Sequence, residues 1–213
     1  MRTKMAVLVA TAAGLPLAAT PSASASVDPP PDRDAMMIKI ASVSGSGCPF
    51  GTAAVTVADD DKSFAVTYGD YTAQAGGASA PARSRKTCQL ALKVYVPKNV
   101  TYGIISTDHR GYAFLQDGAR ATHSAGAYFH GQAREMTAHE VNGPYDSVWQ
   151  FTDQSDLGEF LWKPCGQDPT FDISTELRVD KGGSDPSKAN LIAMDATDGT
   201  MKTTYHLAWK ACP

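Results

Sequence analysis

Residues 171–180 read FDISTELRVD, and in this stretch every second side chain is apolar or a threonine. Phe171, Ile173, Leu177 and Val179 share one face, because side chains two residues apart in a β-strand point the same way. The residues between them are polar or charged. The stretch therefore predicts a half-buried strand with one face against a core and the other toward solvent.

The same period of two recurs on both sides of this stretch. Alternate apolar residues follow Cys88 until Pro97 ends the run, and Tyr205, Leu207 and Trp209 alternate with polar residues near the C-terminus. We predict further strands at residues 37–42, 53–58, 63–68, 102–107, 112–116, 127–130, 135–141, 148–152, 159–162 and 191–195.

Turn signals separate these runs, among them Asp117-Gly118 and Asn142-Gly143-Pro144. No apolar pattern with the spacing of a helix persists for three turns. Residues 74–85 are rich in Gly, Ala and Ser and predict a long surface loop. Many short strands without helical crossovers predict an all-β fold, an antiparallel sandwich or jelly roll.

The N-terminus predicts a secretion signal. Arg2 and Lys4 precede an apolar run at residues 5–19 that is too short to span a bilayer, and Ala23-Ser24-Ala25 is a cleavage site. We expect a signal peptide at residues 1–25, a flexible proline-rich arm at 26–34 and one β-sandwich domain at 35–213. No second long apolar run follows, so the sequence predicts a released protein without a membrane anchor.

Composition narrows the range of partners. The formal net charge is −3 over 213 residues, and cleavage of the signal would remove two basic residues. A mildly acidic surface argues against nucleic acid and anionic membranes as partners. In the oxidising conditions outside the cell, we expect all four cysteines to form disulfides.

Several segments resemble the secreted family known as domain of unknown function 4360. They are residues 45–49 (GSGCP), 88–90 (CQL), 110–113 (RGYA), 162–166 (WKPCG), 177–179 (LRV) and 206–212 (HLAWKAC). The resemblance extends from about residue 38 to residue 212 and includes all four cysteines. It implies a disulfide-stapled extracellular protein, and it brings no activity, substrate or catalytic residue.

Four cysteines allow three connectivities. We favour Cys48–Cys88 and Cys165–Cys212, because each closes a moderate loop and the second holds the last strand in place. No Cys-x-x-Cys pair is present, which argues against a metal or redox role for these thiols.

Four of the five histidines lie within about thirty residues, which raises the possibility of a metal site. His109, His123, His130 and His139 lie close together in sequence, but none has the spacing of a zinc motif. We therefore expect surface or hydrogen-bonded histidines and predict neither a metal nor a cofactor.

Asp108, His109, Arg110 and Tyr112 form a candidate surface site at an expected strand-to-turn junction. An acid, an imidazole and a guanidinium can orient or protonate a substrate. Adjacent residues of a strand point to opposite faces, however, so they cannot form a simple relay.

Carboxylates near aromatic residues suggest carbohydrate. Asp153, Asp156 and Glu159 lie close in sequence to Trp149, Phe160 and Trp162. This grouping suits a sugar-binding face, or a glycosidase with two carboxylates across a cleft. Alternating aromatic residues are more often part of a core.

No set of residues supplies the nucleophile, base and oxyanion donors that an enzyme needs. We therefore predict a secreted, monomeric, non-catalytic binding module with an extracellular carbohydrate or protein partner. The alternatives are an extracellular hydrolase acting on carbohydrate, or an inhibitor of secreted proteases that uses the loop at residues 74–86.

Overall fold

In several strands buried and partly exposed side chains alternate along the chain. In the strand Ser63–Tyr68, for example, every second residue is buried. The computed structural model describes residues 35–97, 99–133, 135–155, 161–194 and 199–213. A short 3₁₀ helix spans Pro81–Ser84. The strands are β1 (Met37–Ser44), β2 (Ala53–Val57), β3 (Ser63–Tyr68), β4 (Thr72–Gly76), β5 (Arg85–Tyr95), β6 (Val100–Leu115), β7 (Arg120–Phe129), β8 (Thr137–Asn142), β9 (Tyr145–Gln154), β10 (Leu161–Trp162), β11 (Phe171–Asp180), β12 (Ala189–Ala193) and β13 (Lys202–Ala211).

The strands form two antiparallel sheets. The first sheet has the order β1-β5-β11-β7-β8, and the second has the order β2-β3-β13-β6-β12-β4, with β9 and β10 also paired to β6. Strand β11, whose alternating pattern at residues 171–180 is described above, lies at the centre of the first sheet between β5 and β7. The prediction of an all-β antiparallel sandwich with two disulfides is confirmed.

Aromatic side chains from both sheets meet in the core. Phe64 of β3 stacks on Tyr205 of β13 with ring centroids 4.8 Å apart, and both rings meet Phe171 of the first sheet edge-on. Tyr71 and Thr175 add a buried hydrogen bond of 2.9 Å. The burial of these aromatic rings between the two sheets contributes most to the stability of such a sandwich.

Strand β6 is longer than the sequence predicts. Residues 102–107 and 112–116 were expected to be separate strands, but β6 runs without a break from Val100 to Leu115. Asp108 and Arg110 resemble turn residues, yet they are simply the outward members of the alternation. The inward members, His109 and Gly111, do not look apolar in the sequence, which hides the pattern.

The loop expected at residues 74–85 is shorter than predicted and comprises residues 77–84. Residues 72–76 form β4, which pairs with β12, and the 3₁₀ helix Pro81–Ser84 leads directly into β5. The hypothesis of an inhibitory loop at residues 74–86 is therefore restricted to this connection between β4 and β5.

The disulfides pair Cys48 with Cys88 and Cys165 with Cys212, which is the connectivity that the sequence analysis favoured. The first is buried in the hydrophobic core, with both cysteines no more than 1% exposed. The second links the turn after β10 to the chain end just after β13.

The predicted signal peptide and arm, residues 1–34, lie outside the described residues and remain predictions. Within the described part of the chain, no helix has the length and apolar character needed to cross a membrane.

Candidate functional site

Strand β6 divides the residues of the predicted surface site between two environments. Asp108, Arg110 and Tyr112 lie on the outer face of the second sheet, whereas His109 points inward and is 1% exposed. The structure therefore does not bring the four residues together as one site.

The outer group forms hydrogen bonds along the sheet surface. Asp108 accepts a hydrogen bond from the Thr152 hydroxyl at 2.5 Å and another from His206 Nε2 at 2.8 Å. These bonds, led by the one from Thr152, lower the pKa of Asp108 against a smaller opposing effect of burial. Tyr112 donates its hydroxyl to Asp146, which raises the pKa of the tyrosine.

The inner group is built around Asp153 of β9. His139 Nε2 of β8 lies 2.7 Å from one carboxylate oxygen, and His109 Nε2 of β6 lies 3.3 Å from the other. Since a carboxylate accepts, both imidazoles donate through Nε2. His109 Nδ1 is 3.3 Å from the Thr203 hydroxyl of β13, which fixes the orientation of the ring.

Two opposing effects set the pKa of Asp153. Partial burial raises it, but the hydrogen bonds from His109 and His139 outweigh burial and bring the pKa below its ordinary value. Asp153 is therefore a carboxylate at neutral pH and is unsuited to donate a proton as a general acid.

His123 of β7 completes the buried histidine cluster. Its ring centroid lies 4.5 Å from that of His109 and 5.3 Å from that of Trp149, and the residue is fully buried. Among the described residues neither ring nitrogen has a hydrogen-bond partner. Burial, together with the neighbouring histidines, holds the pKa of His123 well below its ordinary value. The expectation that the histidines are exposed or hydrogen-bonded is wrong for this one.

A metal ion needs several ligating side chains that converge on one point. In the described ranges, no three His, Cys, Asp or Glu side chains form a group that could hold a metal ion. The Nε2 atoms of His109 and His139 are already directed at the Asp153 carboxylate.

An open cleft of about 650 Å³ lies beside Asp153. Asp153 and Glu135 supply its two carboxylates, and Trp162 and Tyr205 supply its aromatic side chains. The uncharged polar side chains in its lining are Thr107, Gln132, Thr137, Gln154 and Ser155. The volume is in the range of small-molecule sites.

The aromatic residues singled out in the sequence are mostly structural. Trp149 is 2% exposed and stacks on Phe151 at 5.2 Å. Trp162 packs against the backbone of Gly103, and Lys210 Nζ lies 4.0 Å from the centroid of its ring. Asp156, Glu159 and Phe160 lie outside the described residues.

Sequence reasoning singled out Asp153 and His109 but did not connect them. They are 44 positions apart and meet because β6 pairs with β9. His139 joins them from the other sheet, since β8 pairs with β7. No local motif marks such a set, because the contacts depend on strand pairing and on how the sheets stack.

A second open cleft, of about 900 Å³, lies by β4 and the ends of β7 and β11. Its lining mixes both charges, and Arg120 pairs with Asp180 at 3.1 Å.

Comparisons with known proteins bear on the family. A family model described as "Domain of unknown function (DUF4360)" matches residues 34–212. An "Uncharacterized secreted protein" of Arthroderma benhamiae is 29% identical over 183 residues, which is 85% of this chain and 74% of that relative. The resemblance noted in the sequence is thereby confirmed. The protein is secreted, as the sequence analysis predicted.

Two solved structures show weak likeness. A carbohydrate-binding module, TmCBM61 with bound β-1,4-galactotriose, is 10% identical with a TM-score of 0.30, covering 80% of this chain and 87% of the module. The enzymatically active domain of tailspike protein 4 of bacteriophage CBA120 is 8% identical with a TM-score of 0.27, covering 80% of this chain and 19% of that one. TM-scores this low support no conclusion about the fold or ligand of this chain.

Proposed function

This chain belongs to the family of domain of unknown function DUF4360, and from that premise we propose that it is a non-catalytic binding module that holds a carbohydrate in the cleft beside Asp153. The observation that carries the proposal is the cleft itself, whose lining includes amide, hydroxyl and carboxylate side chains.

These side-chain types suit a polyhydroxylated ligand. Amides such as Gln132 and Gln154 both donate and accept hydrogen bonds, and the hydroxyl of Ser155 does the same. A sugar presents many hydroxyls that need both kinds of partner. An apolar ligand would instead leave these groups unpaired, at a cost of about 1–3 kcal/mol each when buried.

The chemistry of Asp153 favours binding over hydrolysis. A glycosidase needs one carboxylic acid that stays protonated until it reaches the leaving group. The two histidines hold Asp153 in its ionised form, and both of its oxygens already accept a hydrogen bond. The arrangement serves to position a carboxylate in the cleft, not to pass a proton.

The test measures retention and turnover together. The purified protein is titrated with a panel of soluble oligosaccharides by calorimetry, and the mixtures are analysed for cleavage products. We expect saturable binding without product. Gln154→Ala should weaken binding about two- to thirteenfold, the size of one net hydrogen bond of about 0.5–1.5 kcal/mol.

Gln150→Ala is the matched control, because Gln150 is an exposed glutamine of the same strand and does not line the cleft. Equal losses for the two variants would contradict the assignment of the cleft. Product release that disappears in Asp153→Asn would replace the binding proposal with a hydrolase.

A further inference from the structure

We propose that strand β8 is a pH-sensitive edge of the sandwich, which covers His123 at neutral pH and opens in mild acid before the fold as a whole unfolds. β8 contributes Thr137 to the lining of the cleft beside Asp153, so its opening would change one wall of that cleft. The opening does not depend on which ligand the cleft holds.

Little buried surface holds β8 in place. It is the last strand of the first sheet, and within the described strands its backbone pairs with β7 alone, over six residues. Four of its six residues are exposed, and Val141 is its one buried residue. Such a strand opens at a lower free energy than the centre of a sheet.

A hydrogen bond between the two sheets strengthens this edge. His139 Nε2 of β8 donates to Asp153 of β9 at 2.7 Å, and the His139 ring stacks on Phe151 of β9 with centroids 4.4 Å apart. An imidazole N–H donates to a carboxylate whether the ring is neutral or charged. Mild acid therefore leaves this bond in place, and His139 is not the group that triggers opening.

His123 lies directly behind β8. It is the cross-strand neighbour of His139 in the pairing of β7 with β8, so the two side chains share the inner face. It is fully buried, and in the described part of the chain neither of its ring nitrogens has a hydrogen-bond partner. A second proton would create a buried cation with two donors and no acceptor. Opening of β8 uncovers the ring and lets water supply the acceptors.

The surroundings of His123 do not stabilise a charge on it. Among the described residues, the titratable groups that face it are His109 of β6, His139 of β8 and Asp153 of β9, and its neighbour in β11 is the apolar Leu177. Both oxygens of Asp153 already accept a hydrogen bond from the other two histidines. Burial, together with those histidines, lowers the pKa of His123, and the weaker opposing effect of Asp153 does not compensate.

The sign of the pH dependence follows from this difference between the two forms. The pKa of His123 is depressed while β8 is closed and returns toward its ordinary value of about 6.5 when β8 is open. The closed form is therefore fully stable above this pH and loses stability below it, because the open form binds one more proton. The open fraction rises by up to about tenfold per pH unit, or about twentyfold between pH 7 and pH 5.

Amide hydrogen exchange measures this opening strand by strand. Exchange of the purified protein is followed at a series of pH values from 7 to 5, and each rate is converted to a protection factor with the intrinsic rate at that pH. We expect the protection of β8 to fall about twentyfold over this range and to stay below that of the central strand β11 throughout. Equal protection in β8 and β11 would mean that exchange occurs by global unfolding. Protection of β8 that does not change with pH would mean that its opening leaves His123 covered, and either result overturns the proposal.

His123→Phe should make the protection of β8 independent of pH over this range, because phenylalanine binds no proton. The matched control is His206→Gln, since His206 also bonds to an aspartate, Asp108, but on the outer face of the second sheet. The control should keep the wild-type fall. Loss of the fall in both variants alike would show that His123 is not the trigger.

His139→Phe tests the bond between the sheets. A phenyl ring can keep the stack on Phe151 but cannot donate to Asp153. We expect the protection of β8 at pH 7 to fall at least about tenfold, the contribution of one hydrogen bond to a charged group. Unchanged protection would show that this bond does not hold β8. The pH series of the wild type decides the proposal even where a variant does not fold.

Discussion

At the scale of single residues, histidine shows how far environment controls chemistry in this fold. His123 is buried between His109 and Trp149, whereas His206 lies on the outer face and bonds to Asp108. The first is kept neutral by burial, whereas the side chain of the second is 38% exposed. The two cannot be distinguished by their residue type or by local sequence.

We predict that His123 makes the protein sensitive to mild acid. The pKa of His123 is depressed in the folded state, so below the unfolded value of about 6.5 the unfolded chain binds more protons. Its contribution to stability is therefore complete above this pH. It falls by up to about 1.4 kcal/mol per pH unit as the pH drops toward the folded pKa.

His123→Phe should remove this dependence and at neutral pH should be as stable as the wild type or more so. The substitution removes two buried nitrogens that lack partners, a defect worth about 1–3 kcal/mol. Urea denaturation at a series of pH values between neutrality and pH 5 measures both effects. An identical slope for the two proteins would show that His123 does not titrate on unfolding.

At the scale of elements, β6 organises the second sheet. It pairs with β13, β12, β9 and β10 along its length, and it supplies residues to both faces. Such a central strand must let its neighbours approach closely. Gly111 meets this need, because a Cβ there would lie 2.2 Å from the Ala193 carbonyl oxygen and 2.3 Å from the Trp149 ring.

Gly111→Ala should therefore destabilise the fold by about 1–3 kcal/mol, the usual cost of forcing extra atoms into a packed region. Gly183→Ala is the matched control, since a Cβ at Gly183 meets no atom within 4 Å. Chemical denaturation of both variants measures the difference. Similar stabilities for the two would mean that β12 and Trp149 shift without cost.

At the scale of the whole molecule, the fold is stabilised both by the packing of two sheets and by two disulfides. The disulfides span 40 and 47 residues, so the loop-entropy term is nearly the same for both. Their surroundings differ. Cys48 and Cys88 are buried, whereas Cys165 is exposed and Cys212 is partly exposed.

We predict that Cys165→Ala/Cys212→Ala lowers the free energy of unfolding by about 2–5 kcal/mol. Cys48→Ala/Cys88→Ala should cost about 1 kcal/mol more, because it also leaves a cavity in the core. Urea denaturation of the two double variants under matched conditions tests the order. A larger loss for the C-terminal pair would show that holding β13 in place matters more than core packing.

Much of the architecture could be predicted from the sequence, because strand formation depends on a local pattern. The alternation at residues 171–180 predicted β11 with its bounds, and the two favoured cysteine pairs are those found in the structure. The prediction failed at β6, where a histidine and a glycine occupy inward positions and hide the period of two.

The family, the secretion and the fold class follow from the sequence itself, because patterning, cysteines and segment order are local or linear properties. The site depends on the tertiary structure. Asp153 meets His109 through one strand pairing and His139 across the stacked sheets, and the cleft exists only where β6 and β9 face β7 and β8. The local pattern predicts which side chains of a strand point into the core. It does not predict which strands, distant in sequence, those side chains will contact.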